Sequence, residues 1–320
     1  MDGIIAVAGP PAGGKTTTVQ HWVQQGYTRL NRDDMGGSLG PNGLVYTTLR
    51  QKAAQGERRF VLDNLYASRE SRAVLVGVAQ EVGLPVHIVW LDTTPEQAQF
   101  FACLRQVRKY GRLFTEEDYR IHRDDPGAFP PGAQFGYWKS RTEPAEDEGF
   151  ASITHVGVTI DLGPKYKNRA IILDYDGTLR VTRSGRIYPS EPDDVVLLEH
   201  RRELLHRKQA EGFRLLGASN QSGCSKQPGD PKYVSEIQAR RCFDRTNQLL
   251  GLDIDYRFAP DAAGVPKTFW RKPSPGMGVL HIEKYLLDPK QCIMVGDRGE
   301  DKTFAARCGF QFIHADDFFR

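Results

Sequence analysis

Residues 4–23 read IIAVAGPPAGGKTTTVQHWV: an apolar, β-branched run, a glycine-rich turn, then a helix-forming stretch. Gly9 to Thr16 satisfy G-x-x-x-x-G-K-[ST], and the flanking strand and helix are the context that this phosphate-binding loop needs. Gly9, Gly13 and Gly14 let the backbone take unusual angles, so its N–H groups and the helix N-terminus can surround the β- and γ-phosphates of ATP. In this reading Lys15 neutralises phosphate charge, Thr16 holds Mg²⁺, and Thr17 completes the nucleotide site.

A second signature, AIILDYDGT, spans residues 170–178. Its apolar run predicts a buried strand, so Asp174 falls at the carboxyl end of that strand, where open α/β sheets place their ligands. DYDGT resembles the first motif of the haloacid dehalogenase (HAD) phosphatases. The resemblance implies that Asp174 attacks phosphorus and that Asp176 protonates the leaving oxygen, then activates water. Ser219, at the end of FRLLGAS, and Lys272, in WRKPSPGM, match the phosphate-binding hydroxyl and lysine of that family. Asp297 and Asp301, in IMVGDRGED, match its metal carboxylates, so Mg²⁺ is expected on Asp174, Asp176, Asp297 and Asp301.

Composition suits two such domains, because 320 residues with 39% hydrophobic content can build two separate cores. No apolar run is long enough for a membrane span, and the acidic start MDG lacks a basic leader, so a cytoplasmic enzyme is expected. Cys103, Cys224, Cys242, Cys292 and Cys308 are scattered without C-x-x-C spacing, which fits inert thiols in a reducing compartment. The net charge of +3 divides into −1 up to Ile160 and +4 beyond it, so neither half is a basic arm. Any contact with nucleic acid must come from local clusters.

One such cluster is Arg105, Arg108, Lys109, Arg112, Arg120 and Arg123. It reads either as a solvated helix face or as a lid that brings an arginine over the transferring phosphoryl group, with Arg105 the first choice. Strands are predicted at YTRL, RRFVLD and VHIVWLD, separated by helices, and the whole chain reads as two doubly wound α/β domains. A turn-rich stretch is expected over 124–135. The first domain is placed at residues 1–160, a linker at 161–168, and the second domain at 169–320, with little room in its motif spacing for a cap.

NRDD, residues 31–34, ends the second strand on the P-loop side, which suits Asp33 as general base for an acceptor hydroxyl and Arg32 as a substrate contact. Asp63, in VLDNL, is read as orienting metal-bound water, binding acceptor, or capping the next helix. GPPAGGKT, NRDDMG and VLDNL together with DYDGTL, TRSGRIYP, SNQSG and RKPSPGM resemble the polynucleotide kinase 3′-phosphatases over nearly the whole chain. The domain order is kinase first. The resemblance implies ATP-dependent phosphorylation of 5′-hydroxyl ends and removal of 3′-phosphates in DNA or RNA, leaving ends that a ligase can seal. It also makes Arg183, with Arg186, a contact to the strand. A fused kinase and phosphatase acting on metabolites or nucleosides is the alternative, and a regulatory nucleotide-binding module without turnover is a third.

Overall fold

The computed structural model describes residues 2–264 and 266–320. By internal packing the chain forms two compact units: one runs to Ala102 and resumes over Arg123–Thr159, and the other comprises Cys103–His122 with Ile160–Arg320. The cationic stretch 103–122 thus groups with the second unit.

The first unit is built on strands β1 (Gly3–Ala8), β2 (Thr28–Leu30), β3 (Arg59–Asn64), β4 (Val86–Leu91) and β5 (Ser152–Val156), all parallel, in the order β2-β3-β1-β4-β5. Its helices are α1 (Lys15–Val23), α2 (Arg32–Met35), α3 (Leu44–Ala54), α4 (Arg69–Glu81), the start of α5 (Pro95–Tyr110) and α7 (Pro131–Ser140); α6 (Glu116–Ile121) lies in the second unit. β1 is central because both its faces are apolar: Ile4, Ala6 and Ala8 enter one core with Trp90 and Phe60, while Ile5 and Val7 enter another with Val19. A strand covered on both faces reads as a continuous hydrophobic run, which is how IIAVA appears.

Two details of this unit differ from simple pattern reading. The stretch expected to be turns becomes helical at Pro131, because proline at a first helical position lacks only an N–H that would have no intrahelical partner there. Arg72 is wholly buried; its guanidinium grips both carboxylate oxygens of Glu148 at 2.7 and 2.8 Å and donates to the carbonyls of Tyr66, Ala67, Thr142 and Glu143. That network fastens the segment leading into β5 to α4, since an unpaired guanidinium could not remain buried.

The second unit has strands β6 (Ala170–Leu173), β7 (Arg180–Thr182), β8 (Val195–Leu197), β9 (Arg214–Asn220), β10 (Asp255–Ala259), β11 (Ile293–Gly296) and β12 (Gln311–His314). Five form a parallel sheet in the order β10-β9-β6-β11-β12, and β7 and β8 form a separate antiparallel hairpin. Helices α8 (Arg201–Ala210), α9 (Glu236–Leu250), α10 (Gly276–Tyr285), α11 (Gly299–Cys308) and α12 (Ala315–Phe318) complete it. Both units are parallel-sheet α/β folds. Between β6 and α10 the described residues form only the hairpin, short 3₁₀ turns, α8 and α9 around the sheet, with no separate cap domain. No helix among the described residues is long and apolar enough to cross a membrane.

Candidate active sites

In the first unit the loop leaves β1 at Ala8 and enters α1 at Lys15, with Gly14 at φ 94° and Ala12, a non-glycine residue, at φ 58°. Gly13 must be glycine: a Cβ there would lie 2.7 Å from the ring of Pro10. Lys15 Nζ reaches the carbonyls of Pro10 at 2.8 Å and Gly9 at 3.0 Å. Thr16 Oγ1 donates to Asp63 Oδ2 at 3.2 Å, so strand β3 brings a buried carboxylate to the first turn of α1. That hydroxyl and carboxylate are hard oxygen donors of the kind Mg²⁺ takes. Asp63 does not cap the following helix, since Ser68 caps α4.

Sequence reasoning missed Arg29. It donates to Asp63 Oδ2 at 2.8 Å and to Asp34 Oδ2 at 2.7 Å, joining the two carboxylates. Asn31 caps the one-turn helix α2 through the N–H groups of Asp33 and Asp34. Asp33 is half exposed and pairs only with its neighbour Arg32, at 2.8 Å, among the described residues. Asp33 and Arg32 therefore sit on the rim while Asp63 and Arg29 occupy the floor. The signal for Arg29 was a cation inside a short strand that ends beside two acidic residues, Asp33 and Asp34.

The arginines of 103–122 differ in their commitments. Arg108 donates to Tyr166 and Glu283, and Arg112 makes a two-pronged bond to Asp118 at 2.6 Å on each side, holding that carboxyl down at about 2. Arg105 is exposed and has no ion-pair partner among the described residues.

In the second unit, Asp174, Asp176, Ser219, Lys272 and Asp301 line one cavity of about 510 Å³. Parallel strands bring them together: Asp174 follows β6, Ser219 lies at the end of β9, and Asp297 follows β11. Lys272 Nζ lies 2.8 Å from Asp174 Oδ1, 2.6 Å from Asp301 Oδ1 and 2.7 Å from the carbonyl of Ala218. Burial opposes the Lys272 charge, yet Asp174 and Asp301 outweigh it and its pKa is raised. Burial, then the Asp174 charge, also pushes Asp297 up, and burial pushes Asp301 up against the pull of Lys272.

Asp174, Asp297 and Asp301 each present an oxygen within 4.8 Å of the others, and Asp297 Oδ1 is buried without a hydrogen-bond partner among the described residues. Three carboxylates around one ammonium leave an excess of negative charge, and this all-oxygen donor set fits Mg²⁺. Two glycines make the cluster possible. A Cβ on Gly177, at φ 88°, would fall 2.3 Å from Asp297 Oδ2, and one on Gly296 would fall 2.4 Å from Asp301 Cγ.

Asp176 lies outside that trio. Its Oδ1 accepts from Arg180 Nε at 2.8 Å, and its Oδ2 accepts from Gln221 Nε2 at 2.7 Å. Gln221 also reaches Ser219 Oγ at 3.2 Å. Arg180 and Gln221 were not anticipated, although a charged residue inside the apolar run after DYDGT was a visible sign. Arg186, Lys226, Lys232, Arg271 and Arg298 also line the cavity; Arg183 does not. Arg186 is fixed by bonds to Ser190 Oγ and the Pro231 carbonyl.

These folds and clusters define an enzyme that joins a P-loop, kinase-like domain to a HAD phosphatase domain. A family described as an AAA domain matches residues 4–100, and one described as HAD-hydrolase-like matches residues 269–315. A probable D-glycero-D-manno-heptose-1,7-bisphosphate 7-phosphatase of Thermoplasma volcanium is 30% identical over 148 residues, covering 45% of this chain and 96% of its own length. Through its second unit the chain belongs to that family of HAD phosphatases. A bifunctional polynucleotide phosphatase/kinase of Schizosaccharomyces pombe is 27% identical over 155 residues, which cover 48% of this chain and 33% of the relative. A solved Pnkp1/Rnl/Hen1 complex contains a chain that overlaps 97% of this one, over 95% of its own length, at 15% identity and a TM-score of 0.33, an overlap too loose to bear on substrate.

Proposed function

We propose that this enzyme heals nucleic-acid ends, phosphorylating 5′-hydroxyls with ATP in the first unit and hydrolysing 3′-phosphates in the second. The observation that carries the proposal is the set of five cations, Arg186, Lys226, Lys232, Arg271 and Arg298, that line the cavity holding Asp174 and outnumber the one further acid there, Glu300, which pairs with Arg271. A lone phosphate is served by Lys272, Ser219 and the metal cluster, whereas further cations suit a substrate that carries more phosphates along a strand. The fusion with a P-loop domain and the likeness to the fission-yeast phosphatase/kinase support the same reading.

In the phosphatase reaction a carboxylate oxygen of Asp174 attacks phosphorus and the bond to the 3′-oxygen breaks as Asp176 gives that oxygen a proton. Water then attacks the aspartyl-phosphate, Asp176 takes its proton back, and phosphate leaves as the bond to Asp174 breaks. Lys272 and Ser219 hold the phosphoryl oxygens; Asp174, Asp297 and Asp301 would hold Mg²⁺, which would supply positive charge against the repulsion between nucleophile and phosphate. In the kinase reaction Asp33, paired with Arg32, takes the proton of the 5′-hydroxyl, while Asp63 stands at the hydroxyl of Thr16. The product ends are those that a ligase joins.

A second reading, a phosphatase of small sugar phosphates, is favoured by the 30% identity to the heptose-bisphosphate enzyme. One assay separates them: DNA and RNA oligonucleotides with 5′-hydroxyl or 3′-phosphate ends, heptose bisphosphate and free nucleosides, each with and without ATP and Mg²⁺. We expect turnover at oligonucleotide ends. Turnover confined to heptose bisphosphate or nucleosides would overturn the proposal.

A further inference from the structure

We propose that Thr93 and Gln134 are positioning residues that hold the P-loop open for phosphate. Both are buried, and neither belongs to the loop. Thr93, in the turn after β4, donates from Oγ1 to the carbonyl of Gly13 at 2.8 Å. Gln134, in the first turns of α7, donates from Nε2 to the carbonyls of Pro11 at 3.2 Å and Ala98 at 2.8 Å. Two carbonyls facing one end of the amide fix which end is nitrogen, since the reversed amide would set oxygen against oxygen.

The consequence follows from peptide planarity. Across a trans peptide the C=O and the next N–H point in opposite directions. Pinning the Pro11 carbonyl outward therefore turns the N–H of Ala12 inward, and pinning the Gly13 carbonyl does the same for Gly14. The intervening N–H, that of Gly13, is spent on the carbonyl of Pro10 at 2.9 Å. Among the described residues the N–H groups of Ala12 and Gly14 donate to no protein acceptor, which leaves them for the phosphates. Ala12 at φ 58° lies in the left-handed region, a conformation that an L-residue keeps only where its surroundings over-determine it. Thr93 and Gln134 supply that determination. The helix that begins with PGAQ, and that the P-loop signature alone does not require, has this role.

The inference rests on the first unit binding ATP, and the test distinguishes the two. Binding of ATP and of inorganic tripolyphosphate, both with Mg²⁺, is measured by calorimetry on the full chain and on Thr93→Val, Thr93→Ser, Gln134→Leu and Gln134→Glu variants. Losing one buried tether should raise both Kd values by about tenfold, whereas Thr93→Ser, which keeps the hydroxyl, should bind as the parent does. Hydrolysis of p-nitrophenyl phosphate by the second unit should stay within about twofold throughout, and parent-like melting temperatures identify folded variants. Failure of the parent protein to bind ATP would overturn the kinase reading. Unchanged Kd values in Thr93→Val and Gln134→Leu, or loss of ATP binding with tripolyphosphate binding intact, would overturn the inference while leaving that reading in place.

Discussion

Nε of Arg180 donates to Oδ1 of Asp176 across 2.8 Å, and both side chains are buried. The guanidinium also bonds Thr246 Oγ1 at 2.9 Å and lies over the rings of Phe243 and Tyr175, so it cannot swing away. Arginine only donates, and Gln221 donates to Oδ2 at 2.7 Å, so the two bonds fix the orientation of the carboxyl that must give the leaving oxygen its proton. Arg180→Met should lower kcat about 100-fold on a 3′-phosphorylated oligonucleotide, whose alkoxide needs that proton, and under about threefold on p-nitrophenyl phosphate, whose phenolate does not. Equal losses on the two esters would show that Arg180 does not act through Asp176.

Each unit carries its own phosphate cradle, so the two activities should separate. Lys15→Ala should remove kinase activity and leave phosphatase activity largely intact, and Asp174→Asn should do the reverse. Both are read on one oligonucleotide bearing both end types. Hydrolysis persisting in purified Asp174→Asn protein would mean that Asp174 is not the nucleophile.

Gly177 sits at φ 88° with Asp297 Oδ2 only 2.3 Å from where its Cβ would be. Gly177→Ala must therefore push Asp297 out of the carboxylate trio. The Mg²⁺ concentration giving half-maximal phosphatase activity should rise about tenfold or more, and direct Mg²⁺ titration should show the same loss. An unchanged Mg²⁺ dependence would remove Asp297 from the metal site.

A strand held by the five cations that line the cavity can orient its reacting phosphorus. We expect a 3′-phosphorylated oligonucleotide to exceed a 3′-mononucleotide in kcat/KM by at least about 100-fold, or roughly 2.7 kcal/mol. Rising salt should erode that margin while hydrolysis of the small ester changes little. Equal efficiency on the two substrates at low salt would shift weight to a phosphatase of small molecules.

His281 is wholly buried with Nε2 at 2.9 Å from the Gly217 carbonyl, and burial depresses its pKa from 6.5 to about 4. Above about pH 6.5 it is neutral folded or unfolded; below that, the unfolded chain takes up a proton that the folded chain refuses. Stability should thus be fully present near neutrality and fall as pH drops toward 4, by on the order of 3 kcal/mol from this group alone. Urea unfolding at pH 7, 6 and 5 measures it. His281→Gln, which keeps a donor for Gly217, should show a shallower decline.

The local patterns, and with them the fold class, were legible in the sequence because they depend on neighbours in the chain. IIAVAGPPAGGKT and AIILDYDGT each contain a buried strand and the turn that ends it, and β-branched runs between polar helices can hardly form anything but parallel α/β sheets. The glycines of the P-loop were equally readable, since that turn needs unusual backbone angles, whereas the crowding of Gly177 by Asp297 belongs to the tertiary structure. Tertiary structure alone decided the rest. Arg180 turns inward because Asp176, Thr246, Phe243 and Tyr175 surround it, and Gln134 meets a P-loop carbonyl 123 residues away. The stretch 103–122, whose arginines read as one cluster, divides by partner: Arg108 goes to Glu283, Arg112 to Asp118, and Arg105 stays exposed. A charged or amide side chain follows whichever buried partner the packing offers, and sequence spacing carries no record of that choice.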